Sequence, residues 1–161
     1  VKSTSVDLDF ADGNYTFALP IQQVLELERK CGGKSIFKMY DEIGAGLGIN
    51  AGEAVYMGGG GAMFTDIRET IRLALIGGNS ATVNGGEITV GPRLAVQLVD
   101  DYTYPARPLV ESQRIAWAIL NATIEGIVLK KKRSPPRRSR EAVPQRSSPN
   151  ELPGARRRLE G

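Results

Sequence analysis

The chain has 161 residues, 41% hydrophobic and 24% charged, which suits one domain with a core and excludes wholesale disorder. It contains no His and a single Cys, Cys31, which excludes His-based acid–base relays, Ser-His and Cys-His nucleophile pairs, His-containing metal sites, internal disulfides and thiolate zinc clusters. The net charge of +3 combines two opposites: residues 130–161 hold eleven Lys/Arg and three Glu, net +8, leaving −5 for residues 1–129.

Val6, Leu8 and Phe10 alternate with Asp7 and Asp9, and Tyr15, Phe17 and Leu19 alternate after Asp12-Gly13. This pattern predicts a β-hairpin, since Asp-Gly supplies the positive dihedrals of a two-residue type I′ turn. Closure there pairs Phe10 with Tyr15, Leu8 with Phe17 and Val6 with Leu19 on one face. A lone hairpin is marginal in water, so that face needs helices or a neighbouring sheet over it.

Helical spacing follows. Pro20 suits a first helical position, and Ile21, Val24, Leu25 and Leu27 form a stripe that stops at Cys31-Gly32-Gly33. A second helix begins near Ser35, with Ile36, Tyr40, Ile43 and Leu47 on one side. The Gly-rich residues 44–61 read as a mobile loop with one short turn around Glu53 to Met57. A third helix covers residues 65–76, with Phe64, Ile67, Ile71 and Leu75 along it and Gly77-Gly78 as its stop. Asn84-Gly85, between Val83 and Ile88, fits either a small hairpin or a loop. Gly91-Pro92 opens a fourth helix with Leu94, Leu98, Val99 and Tyr102, and a turn at Tyr104-Pro105 leads to a last helix with Ile115, Ile119, Leu120, Thr123 and Ile127. After Leu129 few apolar side chains remain to offset ordering entropy, which predicts disorder from about residue 131. The expected fold is α+β, mainly α: an N-terminal β-hairpin packed on about five helices over residues 1–129, with a disordered, basic Arg/Pro/Ser-rich tail over residues 130–161.

Chemical motifs are few. Gly32-Gly33-Lys34-Ser35 resembles the end of a phosphate-binding loop, but Glu28 stands where that motif requires Gly, and a helix precedes it instead of a strand. It reads as a helix cap and a new helix start. Asp7, Asp9 and Asp12 lack the spacing of a calcium loop and read as a solvated strand face. Cys31, beside Lys30 and Lys34, has no His partner and reads as a structural thiol. No catalytic, cofactor-binding or metal-ligating residue stands out, so neither an enzyme activity nor a cofactor is expected. No apolar run approaches the about 18 residues of a membrane span, and residues 1–12 lack an apolar signal core; the expectation is a protein of a reducing compartment with no membrane contact. The tail has the charge for non-specific nucleic-acid contact but no aromatic side chain for base stacking.

The order of segments resembles the small tail-gene protein family of gene transfer agents and siphophage-like prophages, over roughly residues 5–127. The resemblance lies in Asp12-Gly13-Asn14-Tyr15-Thr16-Phe17, in Leu25-Glu26-Leu27-Glu28 with Gly32, and in Leu73-Ala74-Leu75-Ile76-Gly77-Gly78. It continues in Arg107-Pro108-Leu109-Val110-Glu111 and in Ala116, Ala118-Ile119-Leu120, Ala122 and Gly126. Residues 44–61 and 81–90 depart from the family's short connections. Members have been labelled tail tube proteins, although their size and gene context look like those of tail assembly chaperones.

The resemblance implies a bacteriophage-type chaperone that coats the tape measure protein in the bacterial host's cytoplasm during tail assembly and is absent from the mature particle. Other tail proteins and copies of itself are further partners compatible with it. A long helical tape measure exposes apolar stripes that aggregate unless covered, and amphipathic helices cover such stripes by helix-in-groove packing. Candidate contact residues are Trp117 and Ile124 on the last helix and Tyr102 on the preceding one. The alternatives are a structural tail tube subunit and a basic-tailed nucleic-acid adaptor. Lys130-Lys131-Lys132 also marks a place where an A-rich codon run would permit ribosomal frameshifting, as chaperones of this kind often use; a plain basic tail explains it equally.

Overall fold

In the computed structural model, which describes residues 1–129, the N-terminal hairpin is half of a larger sheet. Strands β1 (Lys2–Ser3), β2 (Ser5–Phe10) and β3 (Gly13–Ala18) precede helices α1 (Ile21–Lys30) and α2 (Ile36–Gly44). Strands β4 (Leu47–Asn50) and β5 (Glu53–Tyr56) then lead to α3 (Phe64–Gly78). Strands β6 (Ser80–Val83) and β7 (Gly86–Ile88), helices α4 (Pro92–Tyr102) and α5 (Leu109–Ile124), and β8 (Ile127–Val128) complete the described chain. The fold is α+β, and the expected tail lies outside the described residues.

The main sheet is antiparallel, in the order β2-β3-β6-β7. Asn84-Gly85, with φ of 51° and 78°, forms the tight turn between β6 and β7, which settles the segment as a hairpin. Row by row, Val6 faces Phe17, and Leu8, Tyr15, Ala81 and Ile88 stand in line. Those side chains face the helices. On the opposite face Asp7, Thr16 and Ser80 form one row and Asp9, Asn14, Thr82 and Glu87 another.

The hairpin register is shifted by two residues from the expected one. Phe10 pairs with Gly13 and Leu8 with Tyr15, and the turn residues are Ala11-Asp12, with Ala11 at φ 54°. The cause is β6: a Cβ at Gly13 would collide with the Thr82 carbonyl oxygen. Gly13 is therefore spent on strand approach, not on the turn. A shift of two preserves the faces, so the apolar side is the expected one.

The glycines ending α3 have a similar role. The helix runs through Gly77 and Gly78, where a Cβ would strike the carbonyls of Ala18 and Thr16, so the pair lets α3 lie directly on β3. The helix stops one residue later, at Asn79, in the left-handed conformation with φ 53°.

Helix α5 is central and touches α2, α3, β2, β3, β4 and β5. Leu27, Met39, Ile43, Ile71, Leu75, Ile119 and Leu120 are fully buried between these elements, each contributing about 1.5–3 kcal/mol. In α1 the expected stripe is rotated: Leu27 is buried and Val24 half-buried, while Ile21 and Leu25 are 69% and 58% exposed. Leu47 and Ile127 leave their expected helices for β4 and β8. Pairing of β1 with β8 joins the two ends of this unit.

Candidate partner-binding surface

Within residues 44–61, expected as a mobile loop, β4 and β5 form a hairpin. Ala51-Gly52 takes φ of 52° and 82°, the dihedrals of a two-residue turn, and pairs Leu47 with Tyr56 and Ile49 with Ala54. Its base is held by the Met57 N–H, which donates to the Gly46 oxygen at 2.6 Å. Its tip is held by Arg114, whose Nη1 donates to the Gly52 oxygen at 2.8 Å. Behind it, Gln113 Nε2 donates to the Ile43 oxygen at 2.8 Å and the Ala45 oxygen at 3.3 Å. These bonds position β4–β5 over the first turns of α5.

A cavity of about 430 Å³ lies beside this hairpin, lined by Tyr56, Ala62, Phe64, Ile67, Val110 and Gln113 among others. Tyr56, Met57, Met63, Tyr104 and Leu109 are all exposed, Met57 by 71%. Tyr56 and Leu109 also line the cavity, and Tyr104 packs edge-to-face on Phe64 at 6.5 Å. Met57 packs over Gly48, on the face of the hairpin opposite Tyr56; exposed apolar side chains such as Tyr56 and Leu109 in a concavity are characteristic of surfaces that meet another molecule. The sequence reading missed this group because the flanking glycines hid the alternation of Leu47 and Ile49, and of Val55 and Met57, about Ala51-Gly52.

The three expected contact residues do not form one face. Tyr102 is half-buried, packs on Phe10 at 6.4 Å and lines a separate cavity with Ser112 and Ile115. Trp117 is half-buried on the α2 side, stacked on Tyr40 at 6.2 Å and close to Gly44. Positions 115 and 117 point about 200° apart on a helix. Ile124, seven residues beyond Trp117, is also half-buried against the core. All three pack against the core while remaining partly exposed, and the more exposed large apolar groups are elsewhere.

The motif around Lys34 is structural. Ser35 caps α2, its Oγ accepting from the Phe37 N–H at 3.1 Å. Lys34 Nζ donates to Asp66 Oδ2 at 2.6 Å and lies 3.0 Å from Glu42 Oε1. Asp66 above all, then Glu42, holds the Lys34 ammonium above its ordinary value. Burial, followed by the nearby Asp66 charge, pushes the Cys31 thiol up to about 12, so the thiolate that a nucleophile requires is disfavoured. Asp7 accepts from Thr16 at 2.8 Å, Asp9 from Asn14 at 3.1 Å and Asp12 from Tyr15 at 2.6 Å. Among the described residues no group of three or more acidic or Cys side chains is gathered to hold a metal, and no helix is long and apolar enough to cross a membrane.

The chain matches no family model, no curated protein and no solved structure.

Proposed function

We propose that this protein is a phage-type tail assembly chaperone, a non-catalytic protein that covers apolar surface of the tape measure protein until tube subunits replace it. The observation that supports this reading most is the exposure of Tyr56 and Leu109 in the lining of one cavity and of Tyr104 against its Phe64, with Met57 and Met63 also exposed in the same stretch of chain as Tyr56. Met side chains adapt to irregular partners at low cost, as a chaperone facing a long, imperfectly repeating helix requires. The resemblance in segment order supplies the tail context, and the working compartment is the cytoplasm of the bacterial host.

A structural tail tube subunit is the second reading. Its support is the four-stranded sheet, where the sequence suggested only a hairpin; β2 and β7 are edge strands in it, and such edges accept strands from neighbouring subunits. The two readings differ in particle composition. Mass spectrometry of purified particles is expected to find this chain nearly absent, while antibodies against it recover the tape measure protein from lysates before assembly. Stoichiometric presence in the finished tail would replace the chaperone reading with the tube one.

A further inference from the structure

Strand β2 closes one side of the main sheet, where it pairs with β3 alone. The two-residue turn makes Phe10 and Gly13 a mutually hydrogen-bonded pair, and such pairs alternate along an antiparallel ladder. Val6, Leu8 and Phe10 therefore direct their backbone groups to β3, whereas Ser5, Asp7 and Asp9 direct theirs outward. Ser5 agrees with this phase: its N–H donates to Ser3 Oγ at 3.1 Å, and its oxygen accepts from the same hydroxyl at 3.1 Å. The N–H and C=O groups of Asp7 and Asp9 face no strand among the described residues. Four such groups in line are what an added strand bonds to.

The side chains about this edge limit what the added strand can be. A groove of about 730 Å³ beside it is lined by Leu8 and Asp9, by residues 52–54 of the β4–β5 hairpin and by α5. Its apolar members Leu8, Val110, Ile115 and Ala118 are only half-buried. Of its charged groups, Arg107 lies 3.7 Å from Glu111 and Arg114 is bonded to the Gly52 oxygen. Asp9 and Glu53, and Asp7 two residues along the edge, have no ion-pair partner among the described residues. On the polar face, then, the neighbours of an incoming strand are two carboxylates, which favour Lys or Arg opposite them. On the other face the neighbours are apolar. A second copy of this chain fits badly. Pairing the free groups of one β2 with those of another sets Asp opposite Asp, and pairing with the other edge strand, β7, sets Glu87 opposite Asp7 or Asp9. Like charges directly opposite destabilise a ladder.

We infer that β2 is a docking edge for an extended partner segment that alternates basic and apolar residues. The backbone of the basic residues bonds to Asp7 and Asp9, and the apolar residues enter the groove beside Leu8. The inference goes beyond the chaperone reading, since it assigns a second surface and its test uses no tail protein, so either can fail without the other.

The test is a titration of the full chain with acetyl-Leu-Lys-Leu-Lys-Leu-amide, read by amide NMR. Shifts and slowed hydrogen exchange are expected at the Asp7 and Asp9 amides, with further shifts at Ile115. N-methylation of both Lys residues removes the donors that face β2 and should weaken binding about tenfold or more. N-methylation of the central Leu removes a donor that faces away and should change little. Glu in place of Lys, or Ala in place of Leu, should each weaken binding. A chain carrying Asp7→Lys and Asp9→Lys, both at exposed positions, should instead prefer the Glu peptide. Equal binding of the two N-methylated peptides, or a Glu peptide that shifts Asp7 and Asp9 of the unmodified chain as readily as the Lys one, would overturn the inference. So would no shift at those amides, or shifts that appear on concentrating the chain without peptide, which would give the edge to a second copy. The peptide series on the unmodified chain decides the matter even if the variant fails to fold.

Discussion

Gly78 sets two opposing effects against each other. Alanine at an ordinary helical glycine gains up to about 1 kcal/mol of propensity. Here the new methyl would strike the Thr16 carbonyl, and overpacking costs about 1–3 kcal/mol. The steric effect should win: Gly78→Ala is expected to lower the urea midpoint, with a net loss of about 1 kcal/mol or more and an unchanged m-value. Cys31 gives a second residue-scale expectation. Burial and Asp66 hold its thiol near 12, so a disulfide reagent at pH 8 should react slowly with native protein and promptly in urea. Lys34→Met would leave Asp66, whose side chain is 7% exposed, without its cation; the expected loss is about 2–3 kcal/mol, read by thermal melting. At this scale the sequence was legible where a residue acts locally, as Ser35 does in capping α2. It was misleading at Gly13, because Asp12-Gly13 looks like a turn until β6, sixty-seven residues later at its start, claims the glycine.

Elements were legible where their periodicity was long. The five helices follow from apolar spacing, and their faces were right in α3 and α4. The short strands β1, β4, β5 and β8 were not, because two to four residues give too little alternation to separate from a loop. The candidate site suffers most from this, since the hairpin that borders it is the element hidden among glycines. Its attachment is testable. Arg114 joins the hairpin tip to α5 by a single exposed bond, so Arg114→Ala should cost only about 0.5 kcal/mol globally while amide exchange in β4–β5 accelerates. Trp117→Ala removes the stack on Tyr40 and should lower stability by about 2 kcal/mol. If the folded variant also loses the tape measure protein at temperatures well below its melting point, Trp117 contacts the partner as well.

Across the whole molecule the charge pattern predicts an alkaline weakness. Raised folded-state values mean that Cys31, Tyr15 and Lys34 each contribute stability that is complete below their unfolded values, 9.0, 10.0 and 10.5, and that is lost as pH rises through the folded ones. Melting temperature should therefore fall above about pH 9, and Cys31→Ala should remove the first part of the fall while Tyr15 and Lys34 retain the rest.

The central claim is that this domain grips an apolar polypeptide through the surface around Tyr56, Met57, Met63 and Leu109. The most direct measurement is co-expression with the neighbouring tape measure gene, comparing the unmodified chain with a Met57→Ser, Met63→Ser, Leu109→Ser variant of exposed positions. A soluble tape measure protein that co-elutes with the unmodified chain, and aggregates with the folded variant, is the expected result. A tape measure protein equally soluble with both, or insoluble with the unmodified chain, would contradict it.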